Sequence, residues 1–248
     1  MNSPIVQRLA LPGSMAIALL LSLAYWWLDN LAHELFGIVL FALLAWHINV
    51  NRVWFRNLLR GGYDALRLAT VALHLVLIAN MVVLLVTSVA ISKSVFVTLP
   101  IPDSMMFRDI HWFAAYWVMI IVGIHLGLHW ARVMALTRVK LGLAAASQVR
   151  TWLFRALALT LAVFSLWSWT VLGVWGKLTF TYSLEFWDFT ASVAPFFGYW
   201  AGVVSLPVIA THYLMWGWRL GRKKGRSLED SPLVRGFTRQ PSASTQRE

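Results

Sequence analysis

The chain contains no cysteine, and that absence removes several chemistries at once. Disulfides, thiolate zinc sites, cysteine-ligated iron–sulfur clusters and covalent haem attachment through a C-x-x-C-H motif are all excluded. Any metal must be held by histidine, carboxylate or backbone oxygen. Charge is also scarce. Only 12% of the 248 residues are charged and 59% are hydrophobic, against about a quarter charged in a soluble domain. Acidic residues are scarcest, ten against 21 Lys and Arg, for a net charge of +11. Such a balance suggests nucleic acid until the charges are placed along the chain.

Charge-free runs mark the membrane spans. They lie between Arg8 and Asp29, Glu34 and Arg52, Arg67 and Lys93, Asp109 and Arg132, Arg155 and Lys177, and Asp188 and Arg219. Crossing about 30 Å of hydrocarbon at about 1.5 Å per residue takes about 20 residues. The expected fold class is therefore all-α: a polytopic membrane helical bundle of about six transmembrane helices. The first run ends in YWWLDN rather than in small residues, so it reads as an uncleaved span. Asp29-Asn30 is expected to form a tight hairpin between spans 1 and 2. Pro100 and Pro102 break the connection between spans 3 and 4, Pro195 opens span 6, and Pro207 is positioned to kink it.

Eighteen of the 21 basic residues fall on one side of this arrangement, and only Lys93, Arg108 and Lys177 on the other. The positive-inside rule makes the first side cytoplasmic, with both termini there. The expected location is therefore a membrane that the chain crosses several times. Orientation and contact with membrane lipid account for the basic excess, so no nucleic acid is expected. Trp26, Trp27, Trp54, Trp112, Trp130, Trp152, Trp175, Trp187, Trp216 and Trp218 lie near span ends, as an interfacial aromatic belt would. Residues 1–220 read as the membrane domain, with a core at about 13–135 and an added hairpin at about 150–220. Residues 221–248 read as a polar, disordered cytoplasmic tail.

All seven histidines fall in or at the edges of spans: His33, His47, His74, His111, His125, His129 and His212. Ionisable residues within the bilayer are costly and tend to mark function. His33 and His47 are 14 residues apart, and so are His111 and His125. Fourteen residues return to within about 40° of the same helix face and rise about 21 Å. Spans 2 and 4 run in the same direction, so the two pairs stand at matched depths. Each level can supply two axial imidazoles to one iron. This predicts an outer haem on His33 and His111 and an inner haem on His47 and His125. His129 also faces the bundle and is the alternative inner ligand; a haem propionate or a quinone is another use for it. His74 and His212 are expected to make interhelical hydrogen bonds, with a further site between His212 and His129 conceivable.

Arg52 and Arg132 follow the inner histidines and Arg108 precedes the outer His111, which makes them candidates for haem propionates. Ordinary interfacial anchoring is the alternative for each. Gly37, Gly123 and Gly127 permit close approach of either a flat macrocycle or another helix. Glu34 is read as tuning the outer centre, relaying a proton, or simply as a solvated carboxylate at the head groups.

The segment from His33 to Arg67 resembles the first half of the flavinylation-associated cytochromes. The shared features are His33-Glu34, Gly37, His47, Asn51-Arg52, Trp54-Phe55 and Gly62-Tyr63. RDIHWFAAYWVMIIVGIHLGLHWARV is similar to that family's H…HxGxHW segment at His111, His125, Gly127, His129 and Trp130. The likeness spans about residues 13–135 and leaves spans 5 and 6 uncovered. It implies a cytochrome b carrying two non-covalent b-type haems (heme b) that passes electrons across the membrane toward extracytoplasmic redox or flavin proteins.

The function expected is therefore transmembrane electron transfer, from the quinol pool or a cytoplasmic-side donor to a partner docked on the loops at 92–110 and 176–194. That is the work of an electron-transport protein rather than a stand-alone enzyme, with iron as the electron carrier and no catalytic residue. Two alternatives stay open: a quinol-oxidising subunit of an oxidoreductase complex, and a haem-free transporter using histidines for protons or metal ions. The second predicts acidic residues deep in the spans, and none is there.

Overall fold

The computed structural model describes residues 4–101, 104–143, 147–181, 187–190 and 193–229. The described part is helical without strands: α1 (Pro4–Leu21), a 3-10 turn (Ser22–Ala24), α2 (Tyr25–Val50), α3 (Arg52–Arg56), α4 (Ala65–Ala90), α5 (Met105–Lys140), α6 (Gln148–Val171), α7 (Val174–Leu178) and α8 (Val193–Glu229). Five stretches among the described residues are long and apolar enough to cross a membrane: Leu9–Val50, Ala65–Ala90, Met105–Lys140, Gln148–Val171 and Val193–Arg222. The protein is a multi-pass helical membrane bundle.

The first stretch, at 42 residues, is twice the length one crossing needs. It bends at Asp29, whose φ of 62° and ψ of 177° break the helix. His33 Nδ1 comes within 2.6 Å of the Ser22 carbonyl, eleven residues back. A straight helix would hold those residues about 16 Å apart. The chain thus folds back here, and α1 lies against α2. The two limbs bring the membrane segments to the expected six.

α5 is the central helix, packed against both α4 and α8. Its buried residues Ala114, Val118, Met119 and Ile120 join Met81 and Leu84 of α4 and Trp200 and Val203 of α8 in the core. Asn80 of α4 donates to the Ala114 carbonyl at 3.0 Å, a polar tie between two helices in an apolar setting. A Cβ at Gly123 would lie 2.5 Å from Pro207 Cγ, and one at Gly127 would lie 2.7 Å from the Val208 carbonyl oxygen. Those two glycines therefore admit α8, not a macrocycle. The C-terminal hairpin is built into the bundle by this contact.

α6 is turned inside out relative to a soluble helix. Ser165 and Ser168 are fully buried, while Trp152, Leu153, Leu157, Leu159 and Trp167 are exposed. Both serines donate back to carbonyls of their own helix, Leu161 and Phe164. This satisfies the hydroxyls and leaves a narrow stripe on which Gly202 of α8 rests. The exposed apolar face is suited to lipid.

At the end of the bundle nearest Asp29, the described residues between α6 and α8 form a cap. Trp117 Nε1 donates to the Leu178 carbonyl at 3.2 Å, and Trp27 Nε1 to the Phe189 carbonyl at 2.5 Å. Phe189 stacks on Trp26 with centroids 4.5 Å apart. Trp27 and Trp187 thus pack into an aromatic cluster with Phe196 rather than standing free as interfacial anchors. Trp152, Trp175, Trp216 and Trp218 remain exposed, as belt residues should. At the opposite end, Asp64 caps α4 by accepting from Arg67 N at 2.8 Å and pairs with Arg222 of α8 at 3.5 Å. α8 stays helical through Glu229, into the stretch expected as a tail. The rest of that tail, with Pro102, Asp103 and Glu185, lies outside the described residues.

Candidate functional site

The histidines gather at two levels. Near Asp29, His33 of α2 and His111 of α5 face each other with ring centroids 6.1 Å apart and planes at 76°. A metal–imidazole bond is about 2 Å long, so two rings on opposite sides of one ion hold their centroids roughly 6 Å apart. The Nδ1 atoms of both rings are engaged. His33 Nδ1–H donates to the Ser22 carbonyl at 2.6 Å. Thr87 Oγ1 directs its single proton to the Val83 carbonyl at 2.7 Å, so it accepts from His111 Nδ1–H at 3.1 Å. Each imidazole thereby keeps Nε2 as the free lone pair, the arrangement that orients metal-ligating histidines.

These rings line a cavity of about 990 Å³, at the upper end of the size range of small-molecule and cofactor sites. Its walls are aromatic, with Tyr25, Trp26, Trp112, Tyr116, Phe189 and Trp200 among them. Gly37 lines it one turn from His33, and a Cβ there would meet nothing within 4 Å. α2 packs against α1, and neither α4 nor α5 is among its close helix neighbours. The cleft between α2 and α4/α5 is thus open enough to admit a flat group.

Arg108 and Lys177 also line this cavity. Arg108 is therefore positioned to meet an anionic substituent of a bound group. Arg132 lies within electrostatic reach of His129. Arg52, at the start of α3, donates to Asn49 Oδ1 at the end of α2 at 3.2 Å. Glu34 has another part. Its carboxylate accepts from Asn30 Nδ2 at 2.5 Å, Ser92 Oγ at 2.7 Å, and the backbone N–H groups of Lys93, Ser94 and Val95 at 2.8, 3.2 and 2.7 Å. It ties the 92–95 loop to α2 beside the cavity, a role that none of its three expected readings included.

At the other level the sequence placed His47, His125 and His129. The structure adds His74. The His74 ring lies 4.9 Å from that of His125 and 5.9 Å from that of His129, and the latter two are 4.8 Å apart. One ligand nitrogen from each of the three comes within 4.8 Å of the others. His74 Nδ1–H donates to the Thr70 carbonyl of its own helix at 2.5 Å, not to another helix as expected. Trp54 covers the His74 ring with centroids 5.0 Å apart. His125 Nδ1 is buried and, among the described residues, has no hydrogen-bond partner. His47 lies within electrostatic reach of all three. The His212 ring rests against Tyr213 and is outside this cluster.

His74 carried no paired spacing, since α4 holds a single histidine, and only the packing of α4 on α5 brings it in. No local signal marked it, because the carbonyl that His74 Nδ1 bonds is a backbone group that any residue at position 70 would offer. Comparison with protein-family models, with curated proteins and with solved structures finds no match for this chain.

Proposed function

We propose that this protein transfers electrons across a bacterial cytoplasmic membrane through non-covalent b-type haem. The observation that supports it best is the facing pair His33 and His111, both tied through Nδ1, at the wall of an aromatic cavity. The donor set fits the group: two imidazoles opposed across the distance one metal ion spans, an aromatic-walled cavity, and Arg108 beside it. When bound, haem supplies a one-electron Fe(III)/Fe(II) couple. The chain's own residues ligate, bury and orient it, and the aromatic walls lower the dielectric around it.

A second centre is needed to complete a path, because one ligand level spans only part of the hydrocarbon thickness. The equal 14-residue spacing pairs His47 with His125 at the level of that second centre, expected from the sequence as a second b-type haem, with His129 as the alternative ligand. Arg52 and Arg132 are the propionate candidates at that level. The basic bias puts the His33–His111 level outside and both termini inside. An extracytoplasmic redox or flavin protein is then the electron acceptor, and membrane quinol or a cytoplasmic-side protein the donor.

The test is a dithionite-reduced minus oxidised absorbance spectrum of protein purified after expression with ample haem. Sharp b-type bands are expected, and His33→Ala or His111→Ala should remove the outer contribution alone. A colourless protein would end this reading.

A further inference from the structure

We infer that the inner histidines form a mononuclear metal site in which His74, His125 and His129 bind one copper ion. The inference accepts the outer haem and the electron-transfer reading and changes the identity of the inner centre.

The geometry favours an ion over a macrocycle. Three imidazole nitrogens, one from α4 and two from successive turns of α5, already lie within 4.8 Å of one another. Around a tetrahedral ion with bonds of about 2.05 Å, ligand nitrogens sit roughly 3.4 Å apart. The cluster needs to contract by at most about 1.4 Å, which side-chain torsions can supply. A haem is bound differently, with its ring lying between two axial nitrogens about 4 Å apart. A third nitrogen within 4.8 Å of both would stand where the ring must lie. As they stand, no two of His74, His125 and His129 can therefore hold a haem between them, whereas the outer pair faces open space at Gly37.

Two further observations point to a ligand here. The buried His125 Nδ1 lacks any hydrogen-bond partner among the described residues. A buried polar atom left unpaired is costly, and ligation would satisfy it. His74 carries the tie to a backbone carbonyl that fixes a ligating imidazole. With three protein ligands the fourth position stays open. An all-imidazole set suits copper and zinc, and divalent copper binds more tightly in the Irving–Williams order. Copper would keep the inner centre redox-active, whereas zinc would not.

The experiment measures haem per chain and bound metal per chain on the same purified full-length protein, after loading with Cu(II) or Zn(II) and removing excess. About one ion per chain is expected, with copper displacing zinc. It should fall to background in His74→Ala and His129→Ala while the outer haem band persists as the reporter of fold. His74→Gln, closer in volume, replaces the alanine variant if that band is lost. His47→Ala should keep the ion. Two haems per chain without stoichiometric metal would overturn the inference and leave the electron-transfer reading intact, as would an ion retained in the His74 variants. An ion that depends on His74 in a protein lacking haem would support the site and sink the electron-transfer reading instead.

Discussion

The imidazole of His111 is held by the hydroxyl of Thr87, one helix away, at 3.1 Å. That hydroxyl's proton is already directed to the Val83 carbonyl, so Thr87 can only accept. Removing it leaves His111 free to rotate and to change tautomer. Thr87→Val should weaken haem binding at the outer level by about 10–100-fold, the usual effect of losing a group that orients a metal ligand. Thr87→Ser should stay near wild type. Absorbance titration of apo-protein with haem measures both, and equal affinity in the valine variant would count against the assigned role.

The α5–α8 interface depends on two glycines with no room beside them. Gly127→Leu drives a side chain into the Val208 carbonyl and Thr211. Overpacking of this kind costs about 1–3 kcal/mol, and thermal unfolding in detergent should show the loss. Gly217→Ala, at a helical position with nothing within 4 Å of the added Cβ, should be neutral or slightly stabilising.

Glu34 gathers five donors, three of them backbone N–H groups of the 92–95 loop. With Glu34→Ala those amides lose their acceptor, and amide hydrogen exchange at Lys93, Ser94 and Val95 should accelerate by at least about 10-fold, as expected when charged hydrogen bonds of about 1.5–3 kcal/mol are lost. Glu34→Gln should fall between the two. Unchanged protection in the alanine variant would show that the loop is held by other contacts.

Asp29 adopts φ 62° and ψ 177°, a region that glycine enters without penalty. Asp29→Gly should match or exceed wild-type stability. Asp29→Val should lose about 1–3 kcal/mol, seen as a lower melting temperature. A valine variant as stable as wild type would mean that the reversal between α1 and α2 tolerates another backbone path.

Several of these features are legible along one dimension. The six apolar segments follow from gaps between charges, and the reversal at Asp29 from a polar Asp-Asn pair between two of them. His33 and His111 each follow an acidic residue by a few positions, and a 14-residue step keeps His47 and His125 on the same faces. Other features leave no local mark. Gly123 and Gly127 are compatible with a cofactor or a helix until α8 is seen to lie on them. Glu34 looks like any boundary carboxylate until the loop 58 residues and more away folds onto it. Trp54 reads as an interfacial anchor, yet it covers the His74 ring.

What the amino-acid sequence determined by itself is the membrane architecture and the depth of each histidine, because span length, charge placement and rise per residue are properties of a single chain segment. What only the tertiary structure decided is the company each histidine keeps. That company depends on how α2, α4 and α5 are rotated and how closely they approach, and these are set by packing between helices. At one level the packing leaves His33 and His111 facing each other on the wall of a wide cavity. At the other it brings His74 against His125 and His129, so two sites built from the same residue type differ in how many rings gather and in the open space beside them.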